Sequence, residues 1–175
     1  EVFEYLDENP EVRVVVIEGG ESKHFCAGID LSLLMSVSQT NIACDARRRE
    51  RVRKDVFRLQ APINAIENCS KPVLAAIHGG CIGGGIDMVT ACDMRYATDD
   101  AFFILQETNL AMTADVGTFP RLLKLIPEGV AREIAYTGRR FGAAEAKANG
   151  LLNETFADAE AMLAQVMAIA AEIAG

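Results

Sequence analysis

The chain has 175 residues, and its 17 basic and 25 acidic side chains give a formal net charge of −8 at pH 7. Half of the residues are hydrophobic, which is enough for a core and excludes a disordered polyelectrolyte. The length suits one domain, no apolar run approaches the roughly 20 residues of a membrane span, and the acidic balance argues against a general nucleic-acid binder.

The cysteines and histidines restrict the chemistry further. The five cysteines are odd in number and include no CxxC pair, so we expect buried thiols in a reducing compartment and no disulfide framework. Only two histidines are present, His24 and His78, and we expect both to make structural hydrogen bonds. We therefore predict no metal site and no Ser-His-Asp triad.

The first half of the chain contains two predicted strands joined by a long predicted helix. Residues 13–17 are a β-branched run bounded by turn residues, and residues 71–77 are a second apolar run with Pro72 at its entry. Between them, residues 45–68 have a helical pattern that we expect to be interrupted or bent at Pro62. The order of strand, helix and strand indicates an α/β fold.

Shorter predicted elements follow the second strand. In chain order they are a glycine-rich turn at residues 79–85, an apolar helix at residues 84–92, short strands at residues 94–97 and 101–104, a helical pattern from residue 116, an apolar piece near residues 151–156 and a final amphipathic helix from residue 158. Residues 1–6 also have a helical pattern. We expect residues 1–175 to form a single domain that is truncated at both ends.

Glycine-bounded turns follow the two predicted strands, at residues 25–30 and at Gly83-Gly84-Gly85. Glycine lets the backbone approach a ligand closely, and amides at the start of a helix carry partial positive charge that holds an oxyanion. Turns that follow two parallel strands can face one crevice. The alternative is that the triple glycine only permits tight packing of a helix against a strand. The run does not match the dinucleotide fingerprint.

Three carboxylates lie near these turns or after the next apolar strand. Asp87 is in the first turn of the predicted helix, Glu107 follows the apolar run at residues 102–105, and Asp115 lies in the segment after it. Burial in an apolar segment raises the pKa of a carboxylic acid, which suits proton transfer at neutral pH. Helix capping for Asp87, and a cap or surface role for the other two, are the alternatives.

Several ordered motifs together resemble the enoyl-CoA hydratase/isomerase (crotonase) superfamily. They are Phe25-Cys26-Ala27-Gly28-Ile29-Asp30, Ile77-His78-Gly79-Gly80-Cys81-Ile82-Gly83-Gly84-Gly85-Ile86-Asp87, Ala91-Cys92-Asp93-Met94-Arg95-Tyr96, Thr137-Gly138-Arg139, Ala144-Glu145-Ala146 and Gly150-Leu151-Leu152. The resemblance extends over nearly all 175 residues. It implies an α/β crotonase (ClpP-like) fold of stacked ββα units with a C-terminal helical region, assembled as a homotrimer or homohexamer.

The resemblance implies an acyl-CoA thioester substrate and an enolate-like intermediate. By position, the backbone N–H groups of Ile29 and Gly84 would hold the thioester oxygen. The residues that would contact the substrate and its coenzyme A part are Ala27, Gly28, Asp30 and Gly83. No cofactor is implied, because coenzyme A is part of the substrate.

The acidic residues resemble one branch of that superfamily, the Δ3,5-Δ2,4-dienoyl-CoA isomerases. Where the hydratases have two glutamates, this chain has Asp87 and Glu107, and it adds Asp115. The long segment between Asp30 and Cys69 is also similar to that branch. The resemblance implies an isomerase of fatty-acid β-oxidation, in a mitochondrion or a peroxisome. Glu107 would remove the proton next to the thioester, Asp115 would return one further along the acyl chain, and Asp87 would orient or polarise the pair.

Two other functions stay open. An enoyl-CoA hydratase has the same pocket, although Asp87 is one methylene shorter than the glutamate found there. The second is a non-catalytic protein of this fold that binds acyl-CoA or RNA. The basic cluster at residues 47–54 is relevant to this second function. It has three possible interpretations: a solvated helix face, a contact for coenzyme A phosphates or a nucleic-acid surface. We expect the solvated face and no nucleic-acid partner.

Overall fold

The computed structural model describes residues 1–30, 32 and 42–175. Residues 31 and 33–41 belong to the long segment between Asp30 and Cys69, so this part of the resemblance lies outside the described residues. The strands are β1 (Val15–Glu18), β2 (Val73–Ile77), β3 (Gly80–Ile82), β4 (Met94–Thr98), β5 (Phe102–Ile104), β6 (Phe141–Gly142) and β7 (Glu154–Phe156). The helices are α1 (Val2–Glu8), α2 (Asp45–Glu67), α3 (Gly84–Thr90), α4 (Gln106–Asn109), α5 (Thr118–Leu122), α6 (Glu128–Thr137), α7 (Ala143–Ala148) and α8 (Ala159–Ala174).

The strands form two sheets. The first has the order β1-β2-β4-β7 and is parallel throughout, with Val15 opposite Val73 and Leu74 opposite Met94. The second has the order β3-β5-β6, with β3 and β5 parallel and β6 antiparallel to β5. Helix α2 connects β1 to β2, as a parallel pair requires a crossover. This alternation of strands and helices confirms the α/β class.

The chain changes sheets at two places, and the first of them differs from the expectation from the sequence. The glycine-rich segment at residues 79–85 is not a single turn, because Gly80–Ile82 form β3 and pair with β5. Only Gly79 and Gly83 have positive φ values in this segment, 56° and 52°, so the turns are confined to its edges. The predicted strands at residues 94–97 and 101–104 are present, and the turn between them leads from the first sheet to the second.

Helix α2 is continuous from Asp45 to Glu67, so an interruption at Pro62 is wrong. Proline removes one hydrogen bond, to the carbonyl of the residue four positions earlier, which here is Arg58. Both residues are exposed, and water can therefore hydrate that carbonyl. The helix continues because Ile63 and Ile66, in the turn that follows Pro62, are buried in the core.

The first sheet is covered on both faces. Alternate residues of β2 point to opposite sides, and every residue from Val73 to Ile77 is buried. Leu74 and Ala76 pack against Met162 and Val166 of α8, while the other face joins the main core. The carboxylate of Asp158 accepts a hydrogen bond from Ala161 N (2.8 Å) and caps α8, which confirms the predicted final helix. Within the described residues, no helix is long and apolar enough to cross a membrane.

Candidate active site

The loops that follow β1 and β2 lie side by side. Cys26 and Cys81 are partners in an isolated parallel bridge. Cys26 N donates to the carbonyl of Gly80 (3.1 Å), and Ile82 N donates to the carbonyl of Cys26 (2.9 Å). The first glycine-bounded turn is therefore held against β3, next to the point where the chain enters α3. As expected from the parallel strands, the two turns face each other.

Two backbone segments meet across a narrow gap at this point. Gly28 has a φ of +99° and Gly83 a φ of +52°, conformations that favour glycine. Gly84 is the first residue of α3, where backbone N–H groups have no partner within the helix. A Cβ atom at Gly84 would lie only 3.9 Å from Ile29 N. The N–H groups of Ile29 and Gly84 thus belong to facing segments, which is the arrangement of donors that an oxyanion hole uses.

Asp87 lies in the first turn of α3 and is only 1% exposed. It does not cap the helix, whose N-cap residue is Gly83. Its carboxylate instead accepts a hydrogen bond of 2.5 Å from the Thr118 hydroxyl. Burial raises the pKa of Asp87, the hydrogen bond from Thr118 and the charge of Arg121 oppose that rise, and the charge of Asp115 adds to it. The helix-cap alternative for Asp87 is therefore wrong.

Glu107 lies in the short helix α4, beside the glycine turn. A Cβ atom at Gly83 would lie 3.1 Å from Glu107 Oε1, so the absence of a side chain at Gly83 makes room for this carboxylate. Its second oxygen, Oε2, is buried and has no hydrogen-bond partner among the described residues. Burial raises the pKa of Glu107, and the charges of Asp87 and Asp115 raise it further. These effects are those of a general base that works near neutral pH.

Asp115 is the exposed member of the three acids. Helix α4 ends at Asn109, and two residues later Ala111 has a positive φ of +56°, where the chain turns back towards α2. Gln60 Nε2 of α2 donates to the backbone carbonyl of Asp115 (2.8 Å). Asp115 lines a cleft of about 480 Å³ together with Gln60, Asn64 and Arg121, among others. The structure thus brings all three acids into one electrostatically coupled group.

The remaining predicted contact residues surround the first turn. Ala27 and Asp30 are exposed, and Gly28 is half-buried. Asp30 Oδ1 accepts hydrogen bonds from Ser32 N (2.8 Å) and Ser32 Oγ (2.7 Å), which stabilise the local turn. Their contact with coenzyme A stays a prediction.

Two residues that the sequence analysis did not single out support Asp87. Thr118 donates to it, and the guanidinium of Arg121 lies close enough to influence its pKa, although Arg121 is only 6% exposed. The sequence offered one usable signal, the glycine at position 117, because Gly117 has a φ of +112° and lies directly before this pair. A buried arginine otherwise has the same sequence pattern as the solvated arginines of α2.

The basic cluster of α2 is exposed and pairs with acids of the same helix. Its ion pairs are Arg48 with Asp45 (2.5 Å), Arg51 with Asp55 (2.8 Å), Arg53 with Glu50 (2.8 Å), Lys54 with Glu50 (3.8 Å) and Arg58 with Asp55 (3.1 Å). This pattern agrees with the solvated helix face that we expected.

The histidines and cysteines have structural surroundings. Gly80 N donates to His24 Nδ1 (3.0 Å), and His78 Nε2 is 2.7 Å from the carbonyl oxygen of Ser22, so both histidines connect the two loops. Burial raises the pKa of Cys92 to about 12, which disfavours a nucleophilic thiolate. Cys44 is exposed, so the expectation that all five thiols are buried is wrong for that residue. Within the described ranges, no group of three or more His, Cys, Asp and Glu residues could hold a metal ion.

Comparisons with known proteins identify the family of the chain. The family model for enoyl-CoA hydratase/isomerase matches residues 1–175. The chain is 46% identical over 172 residues to a peroxisomal Δ(3,5)-Δ(2,4)-dienoyl-CoA isomerase of Arabidopsis thaliana, covering 97% of this chain and 62% of the relative. It is 45% identical over 175 residues to the mitochondrial enzyme of that name from Homo sapiens, covering 99% of this chain and 53% of the relative. The chain therefore spans between about half and three fifths of these relatives.

Solved structures show the same fold. The crystal structure of an enoyl-CoA hydratase from Bacillus anthracis matches with a TM-score of 0.84 and 35% sequence identity. The match covers 99% of this chain and 63% of the other. This similarity confirms the fold that the sequence resemblance implies.

Proposed function

Since the chain belongs to the enoyl-CoA hydratase/isomerase family and has the crotonase fold, we propose that the protein is a Δ3,5-Δ2,4-dienoyl-CoA isomerase of fatty-acid β-oxidation. The observation that carries the proposal is the group of three coupled acids, Asp87, Glu107 and Asp115, together with the facing backbone segments that contain Ile29 and Gly84. The two relatives named as enzymes of this activity support it, at 46% and 45% identity.

In this proposal the first step uses the two backbone N–H groups. They donate hydrogen bonds to the thioester oxygen, and they stabilise the negative charge that develops on it when the proton at C2 leaves. Donors that are already in place contribute about 3 kcal/mol each to such a step. Gly84 is suited to this role because its N–H is at the start of α3, where the helix dipole favours negative charge.

Glu107 accepts the C2 proton. Its buried Oε2 has no hydrogen-bond partner among the described residues, so this oxygen is available to a C–H proton. The raised pKa makes the ionised form of Glu107 a stronger base than an ordinary carboxylate. The electron pair of the broken C–H bond then spreads over the dienolate as far as C6.

Asp115 completes the reaction by giving a proton to C6. Conversion of a 3,5-diene into a 2,4-diene removes one proton from C2 and adds one at C6, so atoms and charge balance. Asp115 is exposed, and it can therefore recover a proton from solvent after each turnover. In this proposal Asp87 orients or polarises the pair, and its charge raises the pKa of Glu107.

The proposal includes the partners and the location of the protein. Coenzyme A enters as part of the substrate, in contact with Ala27, Gly28, Asp30 and Gly83, and no cofactor takes part. We infer a single acyl-CoA-binding domain within a homotrimer or homohexamer. The names of the two relatives place those proteins in peroxisomes and mitochondria, and we propose one of these compartments here.

An enoyl-CoA hydratase is the second candidate. The match to the Bacillus anthracis structure, which is described as an enoyl-CoA hydratase, favours it. A hydratase uses two carboxylates to add water, and here these would be Asp87 and Glu107. The third acid and the shorter side chain at Asp87 favour the isomerase.

Turnover by the full-length protein tests the proposal. With 3,5-dienoyl-CoA as substrate, we expect rapid formation of the conjugated 2,4-dienoyl thioester. Its formation is measured by its ultraviolet absorbance. Glu107→Gln removes the base while keeping the shape of the side chain, and we expect a loss of at least about 100-fold in kcat. Binding of the dienoyl-CoA without any turnover in the wild type would contradict the proposal and favour the non-catalytic binding protein.

A further inference from the structure

Arg121 is a nearly buried cation at the junction of α2, α5 and the segment that carries Asp115. Its Nε and Nη2 atoms donate to Glu67 Oε2 (2.9 and 2.7 Å), and Nη2 also donates to Asn64 Oδ1 (2.8 Å). A third group, Nη1, reaches the carbonyl of Val116 at 3.3 Å. The guanidinium is therefore held in one orientation from several sides.

The backbone before α5 is shaped around this guanidinium. A Cβ atom at Gly117 would lie 2.0 Å from Arg121 Nη1, and the φ of Gly117 is +112°. No side chain fits at that position, so the close approach of the guanidinium depends on a glycine. Thr118 follows directly, is fully buried, and donates to Asp87 Oδ1 at 2.5 Å.

Asp87 has few other groups to offset the cost of burying its charge. Within the described ranges, the charged and titratable groups that influence it are Arg121 from α5, Asp115, Glu107 from α4 and the buried Cys81 of β3. From α2, Glu67 faces Arg121 and not Asp87 directly. Of these groups, only Arg121 carries positive charge. A buried carboxylate without a nearby cation or hydrogen-bond donor takes up a proton.

We propose that Arg121 and Thr118 are positioning residues that hold Asp87 as a buried, oriented carboxylate within the three-acid site. Thr118 orients the carboxylate through its hydrogen bond, and Arg121 supplies the compensating positive charge. Asn64 and Glu67, one helical turn apart on α2, hold Arg121, while Gln60 on the turn before holds the backbone of Asp115. One face of α2 thus positions both aspartates. This inference rests on the proposed function only for the catalytic use of Asp87.

The test compares Arg121→Gln, Arg121→Lys and Thr118→Val in the full-length protein, with Lys124→Gln as the control. Lys124 also reaches Glu67, at 3.9 Å, but it is exposed and does not contact the site. We expect Arg121→Gln and Thr118→Val to lower kcat by about tenfold or more with little change in KM, because each weakens an interaction with a charged group. In a plot of kcat against pH, the decrease on the acidic side (the acidic limb) moves to higher pH in Arg121→Gln, because the pKa of Asp87 rises without the cation. The shift is smaller in Arg121→Lys and absent in the control.

A second readout needs no substrate and so separates this inference from the isomerase proposal. The thermal unfolding midpoint is measured from pH 5 to pH 8 for wild type, Arg121→Gln, Asp87→Asn and the double variant. Removal of Arg121 makes the loss of stability with rising pH steeper, because the charged form of Asp87 becomes more costly. In the Asp87→Asn background this extra pH dependence disappears.

Two results would overturn the inference. One is that Arg121→Gln lowers the unfolding midpoint by the same amount at every pH, both in wild type and in the Asp87→Asn background. Such a loss would come from packing and not from the charge of Asp87. The other is an unmoved acidic limb in Thr118→Val and Arg121→Gln. If Arg121→Gln does not fold, Thr118→Val decides the matter, because it removes only a hydroxyl and keeps the side-chain shape. If the wild type has no isomerase activity while the unfolding midpoints of the four proteins depend on pH as expected, the proposed function is rejected. The inference about Asp87 is then still supported.

Discussion

At the scale of single residues, Asp87 shows how function and stability oppose each other. The carboxyl group is 1% exposed, and burial raises its pKa despite the hydrogen bond from Thr118. A group whose pKa is higher in the folded chain than in the unfolded chain stabilises the fold most below its unfolded pKa. That stability is lost as the pH rises through the pKa of the folded state. The charged form therefore costs stability at neutral pH.

The variant Asp87→Asn tests this cost. The amide keeps an oxygen that can accept from Thr118, and it removes the buried charge. We expect the unfolding temperature of the variant, relative to that of wild type, to be higher at pH 8 than at pH 3, which lies below the ordinary pKa of an aspartic acid, while isomerase activity falls. Thermal scans at the two pH values check the sign. A difference that is the same at both values would contradict the pKa direction.

The sequence identified the three acids by resemblance, whereas it did not identify their supports. Asp87, Glu107 and Asp115 stand in recognisable motifs, but burial and coupling arise from packing that no local pattern records. Arg121 and Thr118 were missed for this reason. The partners of Arg121, which are Asn64 and Glu67, come from α2, more than fifty residues earlier in the chain.

At the scale of elements, the turn from β3 into α3 brings the proposed backbone donor at Gly84 close to the proposed base, Glu107. Gly83 has a positive φ and borders Glu107, while Gly84 begins the helix and faces Ile29. The sequence analysis recognised the turn from its glycines. It missed the strand β3 within them, because three residues that include a glycine have little strand pattern, and their pairing with β5 decides the conformation.

Two glycine-to-alanine variants, one in this turn and one in a helix, test whether the position of Gly83 beside Glu107 matters or whether any added methyl group has the same effect. Gly83→Ala forces an alanine into a sparsely populated backbone conformation with positive φ, at a cost on the order of 1–3 kcal/mol, and places a methyl group against Glu107. We expect lower stability and at least a tenfold loss of kcat. Gly129 lies in α6 with open space around it, so Gly129→Ala should raise the free energy of unfolding by roughly 0.5 kcal/mol and leave activity unchanged. Urea unfolding and turnover of both variants check the contrast.

Equal stability loss in both alanine variants would contradict the positional argument. Normal activity in Gly83→Ala would contradict the placement of Glu107 beside the turn. The control is matched in chemistry, since each change adds one methyl group to a glycine, and it differs only in backbone conformation and surroundings.

At the scale of the whole molecule, parallel strands bring the site together. β1 and β2 end at the same edge of the first sheet, so the turns that follow them meet, and the order of strands and helices in the sequence was enough to predict this. The sequence did not predict the division into two sheets or the continuity of α2 through Pro62. Both depend on which faces are buried: Ile63 and Ile66 pack into the core and keep the helix intact.

The arrangement of α2 against the segment from Asp115 to Arg121 extends the site beyond the sheet edge. Gln60, Asn64 and Glu67 lie on one face of α2 and reach this segment. The backbone of Asp115 is thereby held beside α2, and in the proposed reaction this acid would serve a carbon remote from the thioester. A hydratase acts on adjacent carbons and has no need of a third acid placed in this way.

The ratio of dienoyl isomerisation to enoyl hydration, measured on full-length wild type and Asp115→Asn, tests the three-acid account most directly. If the three acids act as proposed, the wild type isomerises 3,5-dienoyl-CoA much faster than it hydrates 2-enoyl-CoA. In that case Asp115→Asn also loses about 100-fold or more of the isomerisation, as removal of a general acid does, with little effect on hydration. Faster hydration than isomerisation in the wild type, and indifference of both reactions to Asp115, would contradict the three-acid account.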